Sequence, residues 1–256
     1  MTTGSPAEPM DMAESGMHRI VRIAVRPGMA RAIIIDDFHH FRIGLRHDGQ
    51  AVTALCSRAV RYPYSLCPAS GEALDALVGL PLSRRIFDVS AAINARQQCT
   101  HQFDLAAQLV TAAARGQARG YDILVTDPHE GRCTARLTRD DGFAMGWAIE
   151  GMAIIGPDNH AGVALDQGFT AWAASLPDED SAEAALALRR AHMVLRGRTR
   201  LEELNRRLFA PTRGSCYVMQ PERAMLSERI PTPFRDGLTP PEPDAEDLAW
   251  LAGEAS

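Results

Sequence analysis

The chain contains no lysine. All 27 basic residues are arginine, and this one absence excludes a wide range of chemistry. Schiff-base catalysis, a lysine-anchored pyridoxal phosphate, the phosphate-loop lysine and the kinase lysine all need an amine that is not there. Codon bias toward GC would explain the loss equally well, but the exclusion holds either way. No Gly-x-Gly-x-x-Gly run occurs, so the usual dinucleotide fingerprint is missing. No apolar run reaches the roughly 20 residues of a membrane span. Positive charge is not in excess either. The net charge of −5 invites neither nucleic acid nor an anionic membrane surface. Residues 1–15 show no basic start followed by an apolar stretch, so no signal peptide is expected and the cytoplasm is the expected compartment. Five cysteines are an odd set, which suits reduced thiols better than a disulfide framework.

What is present reads as one domain. The 256 residues can bury a substantial core. Residues 1–17 look like a disordered arm and 226–256 like a mostly disordered, acidic, Pro-rich tail (Pro240, Pro241, Glu242, Pro243, Asp244), with a short helix around Trp250 as an option. Between them, 18–225 alternates strand and helix signals. Residues 18–30 read as an edge strand or an extended lead-in. A strand over 31–46 runs into Asp48-Gly49, a hairpin signal, and returns over 51–62. Ser70 and Thr100 are positioned to cap helices over 70–80 and 99–114, joined by a connector that holds a short helix. Strands follow at 121–127, 132–139 and 143–155, then helices at 168–176, 180–195 and 199–209. The expected fold class is α+β, with antiparallel strands packed on helices in a single compact domain.

The run Asp36-Asp37-Phe38-His39-His40-Phe41-Arg42 stands out. In a continuous strand, Asp37 and His39 share the apolar face of Ile33, Ile35, Phe41 and Ile43, while Asp36, His40 and Arg42 take the wetter face. A carboxylate and an imidazole buried together must either pair or face a pocket. A satisfied structural contact and an acid/base dyad are both open. Three other groups carry chemistry. Cys99 and His101 sit at a helix start, where amides favour a thiolate or an anion. Arg61, Tyr62 and Tyr64 cluster in a proline-broken loop that also holds Cys67 and suits an aromatic or carboxylate ligand. Glu150, between Ile149 and Met152, is either a buried acid or a wet-face residue, with the wet face favoured.

Five ordered segments carry a family resemblance. They are Asp36 to Phe41, Arg61-Tyr62-Pro63 through Cys67-Pro68, Cys99-Thr100-His101 with Phe103-Asp104-Leu105, the helix Glu183 to Arg198, and Gly214-Ser215-Cys216-Tyr217 with Gln220-Pro221. Over about 30–225 the chain resembles the bacterial domain of unknown function 2889, which implies no reaction. The element order in 31–115 is also similar, more weakly, to iron–sulfur scaffold proteins, with Cys67 and Cys99 where two of their ligands stand. Those scaffolds lack the Asp-Asp-Phe-His-His strand.

Three functional readings follow. The first is a cofactor-independent lyase, acting by elimination or C–C cleavage on a small aromatic or carboxylate-bearing catabolic substrate. It takes His39 as base, Asp37 as its orienter, Tyr62 or Tyr64 as proton donor, Arg61 as clamp, and His101 and Cys99 as further catalytic candidates. His40 and Cys67 join Arg61 as substrate-binding residues, and no metal is assigned. The second reading is a metal-binding or scaffold-like protein using Cys67, Cys99, His101 and His39. The third is a non-catalytic ligand-binding module in which Arg189, Arg190 and the Tyr-Pro-Tyr loop hold a ligand. A small molecule is the expected partner, and homo-oligomerisation is compatible with all three.

Overall fold

Strands β1 (Gly16–Arg26), β2 (Met29–Ile35), β3 (His40–His47) and β4 (Val52–Arg61) make one half of a sheet in the computed structural model, which describes residues 15–231 and 237–254. Strands β5 (Arg119–Thr126), β6 (Arg132–Arg139), β7 (Ala144–Glu150) and β8 (Ala153–Gly156) make the other half. The eight strands are ordered β4-β3-β2-β1-β5-β6-β7-β8, every pair antiparallel. The helices are α1 (Ile86–Ala92), α2 (Thr100–Arg115), α3 (Phe169–Ala174), α4 (Glu179–Arg198), α5 (Leu201–Asn205), α6 (Pro221–Ala224) and α7 (Ala245–Ala252). The fold is α+β, in a single compact domain.

Two helices cover one face of the sheet. Helix α2 lies on β1–β3 and α4 on β1 and β5–β7. Side chains two apart share a face, so Met17, Val21 and Ile23 of β1, Ala30, Ala32 and Ile34 of β2 and Phe41, Ile43 and Leu45 of β3 all enter this core. Buried Glu183 of α4 locks the layers together. It accepts from Tyr121 of β5, from Thr111 at 3.2 Å and from Arg115 at 2.9 Å on α2. The helix ends carry ordinary sequence signals. The Asp178 carboxylate caps α4 by accepting from Ser181 N, and Gly116 closes α2 with φ +67°.

Four expectations are corrected. β1 is a central strand, not an edge. Its alternation is weak because both faces are covered, one by α2 and α4 and the other by α7. The strand expected over 31–46 is a hairpin. The chain turns at residues 36–39, and Asp36 N donates to His39 O at 2.8 Å. The turn changes side-chain parity, because Ile34 pairs with Phe41 and Ile35 with His40. Ile33 and Ile35 therefore leave the Phe41 face and pack with Ile20 and Trp250 beneath α7. The supposed wet face is buried too: Asp36, His40 and Arg42 are all enclosed. Finally, Thr100 and Ser70 are not caps; Cys99 and Cys67 occupy those positions, with no side-chain bond to the helix.

The short helix considered around Trp250 in the tail is present, and it packs on the sheet. It is α7, Ala245–Ala252, whose Asp244–Asp247 capping box fixes its start. Trp250 is only 2% exposed and donates to Ala32 O. Residues 1–14 of the expected arm lie outside the described residues, and Gly16 already belongs to β1. Glu150 is exposed and pairs with Arg132, as the wet-face reading expects. Among the described residues no helix is long and apolar enough to cross a membrane.

Candidate functional site

The turn at 36–39 is built by one carboxylate. Asp36 Oδ1 accepts from the backbone N–H of Phe38 and His39 and faces His39 Nδ1, each at 2.9 Å. Its Oδ2 accepts from Arg19 Nε at 2.9 Å and from the guanidinium tip at 2.5 Å. This is an Asx turn, in which an aspartate satisfies the backbone two and three residues ahead. Burial alone would push the Asp36 carboxyl up, but His39 and Arg19 hold it well below its usual range. An ionised Asp36 accepts, so His39 carries its proton on Nδ1.

His39 therefore pairs with Asp36, not with Asp37 as a continuous strand would have it. Asp37 turns toward Arg198 of α4, at 3.2 Å. The His39 ring stacks on His101 from the start of α2, with centroids 3.6 Å apart and planes inclined by 23°. Burial drives the His39 pKa down against the pull of Asp36. Burial, then the neighbouring His39 and Arg19, drive His101 well below its usual value. Both imidazoles are neutral at pH 7. His101 Nε2 is buried and has no hydrogen-bond partner among the described residues.

His101 lies in the wall of a cavity of about 740 Å³, within the range of small-molecule sites. The cavity is bounded by the start of α2, the loop before it, α3, α4, α5 and the loop 211–216. Seven arginines line it: 96, 189, 190, 196, 200, 207 and 213. No aspartate or glutamate does. Arg190 is held by Asp104 at 2.5 Å, and Arg200 and Arg207 share Glu203. Arg96, Arg189, Arg196 and Arg213 have no carboxylate at ion-pair distance among the described residues; Arg189 instead donates to Leu165 O at 2.6 Å and lies over the Phe169 ring. Guanidinium groups pair with carboxylate and phosphate through two parallel N–H bonds. The cavity wall is cationic by composition.

The other candidates fall elsewhere. Cys99 is buried at the start of α2. The amides of His101 and Gln102 point at it, yet burial prevails and pushes its thiol up. Burial does the same to Cys67 and moves Cys216, which lines the cavity, to about 11. None is a thiolate. Arg61 donates to the carbonyls of Asp37 and Asp36, bracing the turn from β4. Tyr64 packs with Cys67, Ala210 and Val218 in a separate small core, with Tyr62 against it; neither tyrosine lines the cavity. His40 is on the opposite face of the sheet, bonded to Asp247 at 2.8 Å. Among the described residues only His40, Asp244 and Asp247 bring three donor atoms within 4.8 Å of one another, and Arg42 already bonds both carboxylates there. Cys67, Cys99 and His101 do not form such a group.

One family model matches part of the chain. Residues 27–115 match the protein family of unknown function DUF2889. The match runs from β2 through α2, so it contains Asp36, His39, His101 and Arg96. The cavity arginines of α4 and beyond lie outside the DUF2889 match, as do the later segments, from Glu183 to Arg198 and around Gly214, that carried the wider resemblance. No curated protein and no solved structure matches the chain.

Of the cavity arginines, sequence reasoning had singled out only Arg189 and Arg190. A signal for Arg196 was present, since Arg189 and Arg196 are seven apart and share a helix face with Met193. For Arg96, Arg207 and Arg213, which come from loops and a short helix end, the sequence offers no periodic signal.

Proposed function

We propose that the protein binds a small anionic substrate in the arginine-lined cavity and that His101 transfers its proton, in a cofactor-independent reaction of the lyase class. The observation that carries this reading is a wall of seven arginines and no carboxylate, with a neutral histidine set into it. Abstraction of a proton next to a carboxylate builds negative charge on that carboxylate as the bond breaks. Fixed guanidinium groups stabilise such charge at no reorganisation cost. A neutral imidazole can take the proton. His39, with its tautomer fixed by Asp36, supports the His101 ring from behind, and Arg19 keeps Asp36 ionised. The base is thus His101, with His39 as a positioning residue, and the clamp is the set of cavity arginines, Arg96 and Arg213 included, in place of Arg61.

Calorimetric titration with small carboxylates and phosphates at low ionic strength tests the binding half. Arg96 and Arg213 are exposed, and their guanidinium groups have no hydrogen bond or ion pair among the described residues, so Arg96→Gln with Arg213→Gln should leave folding intact. Loss of these charge-assisted bonds should weaken the anion by about 10- to 100-fold. Unchanged affinity in this double variant would overturn the site. The catalytic half is read by NMR, as exchange in D2O of the proton next to the carboxylate of a bound acid. His101→Asn should keep binding and reduce that exchange by roughly 10²–10⁴. Binding with no exchange by the wild type would leave a ligand-binding module without catalysis.

A further inference from the structure

A second, smaller cavity opens beside the arginine cavity. Its volume is about 170 Å³. The two share five lining residues, namely Ala95, Thr100, Thr170, Arg189 and Arg190, so the cavities adjoin. The character of the wall changes across that boundary. The small cavity is lined by Ile86 and Phe87 of α1, Phe103 and Ala107 of α2, and Leu186 and Ala187 of α4. Its one carboxylate, Asp104, is neutralised by Arg190. The polar remainder is Ser90, Gln108 and, toward the boundary, Thr100, Thr170 and Arg189; away from that boundary the apolar side chains suit a hydrocarbon group attached to an anion. The size narrows the choice, because an apolar cavity of about 150 Å³ accommodates one benzene ring.

We infer that the ligand is an anion carrying one apolar group of about phenyl size, with the charged end among the arginines and the ring in the annex between α1, α2 and α4. This rests on the anion-site reading and adds to it the half of the substrate that the arginines cannot recognise. Arg189 and Arg190 stand at the junction and would take the anionic end nearest the ring. The anionic end can be a carboxylate or a phosphate, since guanidinium pairs with both.

The test compares each anion with its ring-bearing counterpart by calorimetry on the full-length protein. Acetate is set against phenylacetate, 3-phenylpropionate and 4-phenylbutyrate, and inorganic phosphate against phenyl phosphate; the better arm names the anionic group. Burying the ring should tighten binding by about 10- to 100-fold over the ringless parent. Two variants fill the annex. Ser90 lines it yet is solvent-exposed, so Ser90→Phe should fold normally, and Ala187→Val narrows the cavity from the α4 side. Either should abolish the gain from the ring and leave the parent anion's affinity unchanged. If the wild type binds parent and ring-bearing anions equally, the inference fails while the anion site stands. If the gain survives in Ser90→Phe and Ala187→Val, the ring is elsewhere and the inference fails again. If no anion of either kind binds, both the anion-site reading and this inference are overturned together.

Discussion

A single carboxylate, Asp36, decides the geometry around the histidines. It accepts from two backbone amides, and its two oxygens also face His39 and Arg19, all in a site closed to solvent. Replacing Asp36 by asparagine keeps the shape and removes the charge. Arg19 would then be a buried cation without its counterion, and such a loss costs about 3–5 kcal/mol. Urea unfolding of Asp36→Asn should show that loss as a lower midpoint. Asp37→Asn removes a partner of Arg198, which also bonds Asp127, so its cost should be clearly smaller. Equal costs would mean that Arg19 finds another partner when Asp36 is neutral. The presence of an acid–histidine pair was legible in the sequence, but its membership was not. Adjacent aspartates compete for one histidine, and the winner depends on whether the strand continues or turns. Asp-Asp-Phe-His also fits an Asx turn, and the apolar run on either side concealed it, because β2 and β3 read as one alternating strand when joined.

At the scale of elements, the hidden part was the docking of α7. Its sequence, short and acidic after a proline-rich stretch, matches the composition of a tail, and its binding face has one large residue, Trp250. What holds it is tertiary. The Asp247 carboxylate accepts from Asp244 N in the capping box and from His40 and Arg42, and Arg31 lies over the Trp250 ring at 4.4 Å. None of these contacts has a local sequence signature. They also explain Gly44 of β3. A Cβ there would come within 2.9 Å of Cys56 Sγ and 3.2 Å of the Trp250 ring, so the strand needs a glycine where the indole approaches it. Trp250→Ala should cost about 3–5 kcal/mol and raise the susceptibility of the C-terminal segment to protease. Gly44→Ala should lower stability by pushing the indole away, and in a Trp250→Ala background most of that cost should vanish. Persistence of the full Gly44→Ala cost in that background would trace the clash to Cys56 instead. By contrast, α2 and α4 were legible, because their apolar spacing follows the core they cover.

The whole molecule couples this site to pH. His39, His101, His160 and His192 are all held below the ordinary histidine value, each with burial as the leading cause. In the unfolded chain they titrate near 6.5. A lowered folded pKa means that, between the two values, the unfolded state binds more protons than the native state. Stability therefore rises with pH through that window. The contribution is fully present above about 6.5 and is lost as pH falls through the folded values. Asp36 does not interfere, because its carboxyl is held well below the usual range and titrates at more acid pH. The melting temperature should therefore fall between pH 7.5 and pH 5. His101 makes a large share of that fall, since it is pressed lowest by His39 and Arg19 as well as by burial. His101→Gln removes its proton uptake, and the melting temperature of that variant should fall less over the same interval. Some slope should remain from the other three histidines. A His101→Gln profile parallel to that of the wild type would show that His101 titrates as it does in water. The stacked pair would then not be the neutral, buried base on which proton transfer in the arginine-lined cavity depends.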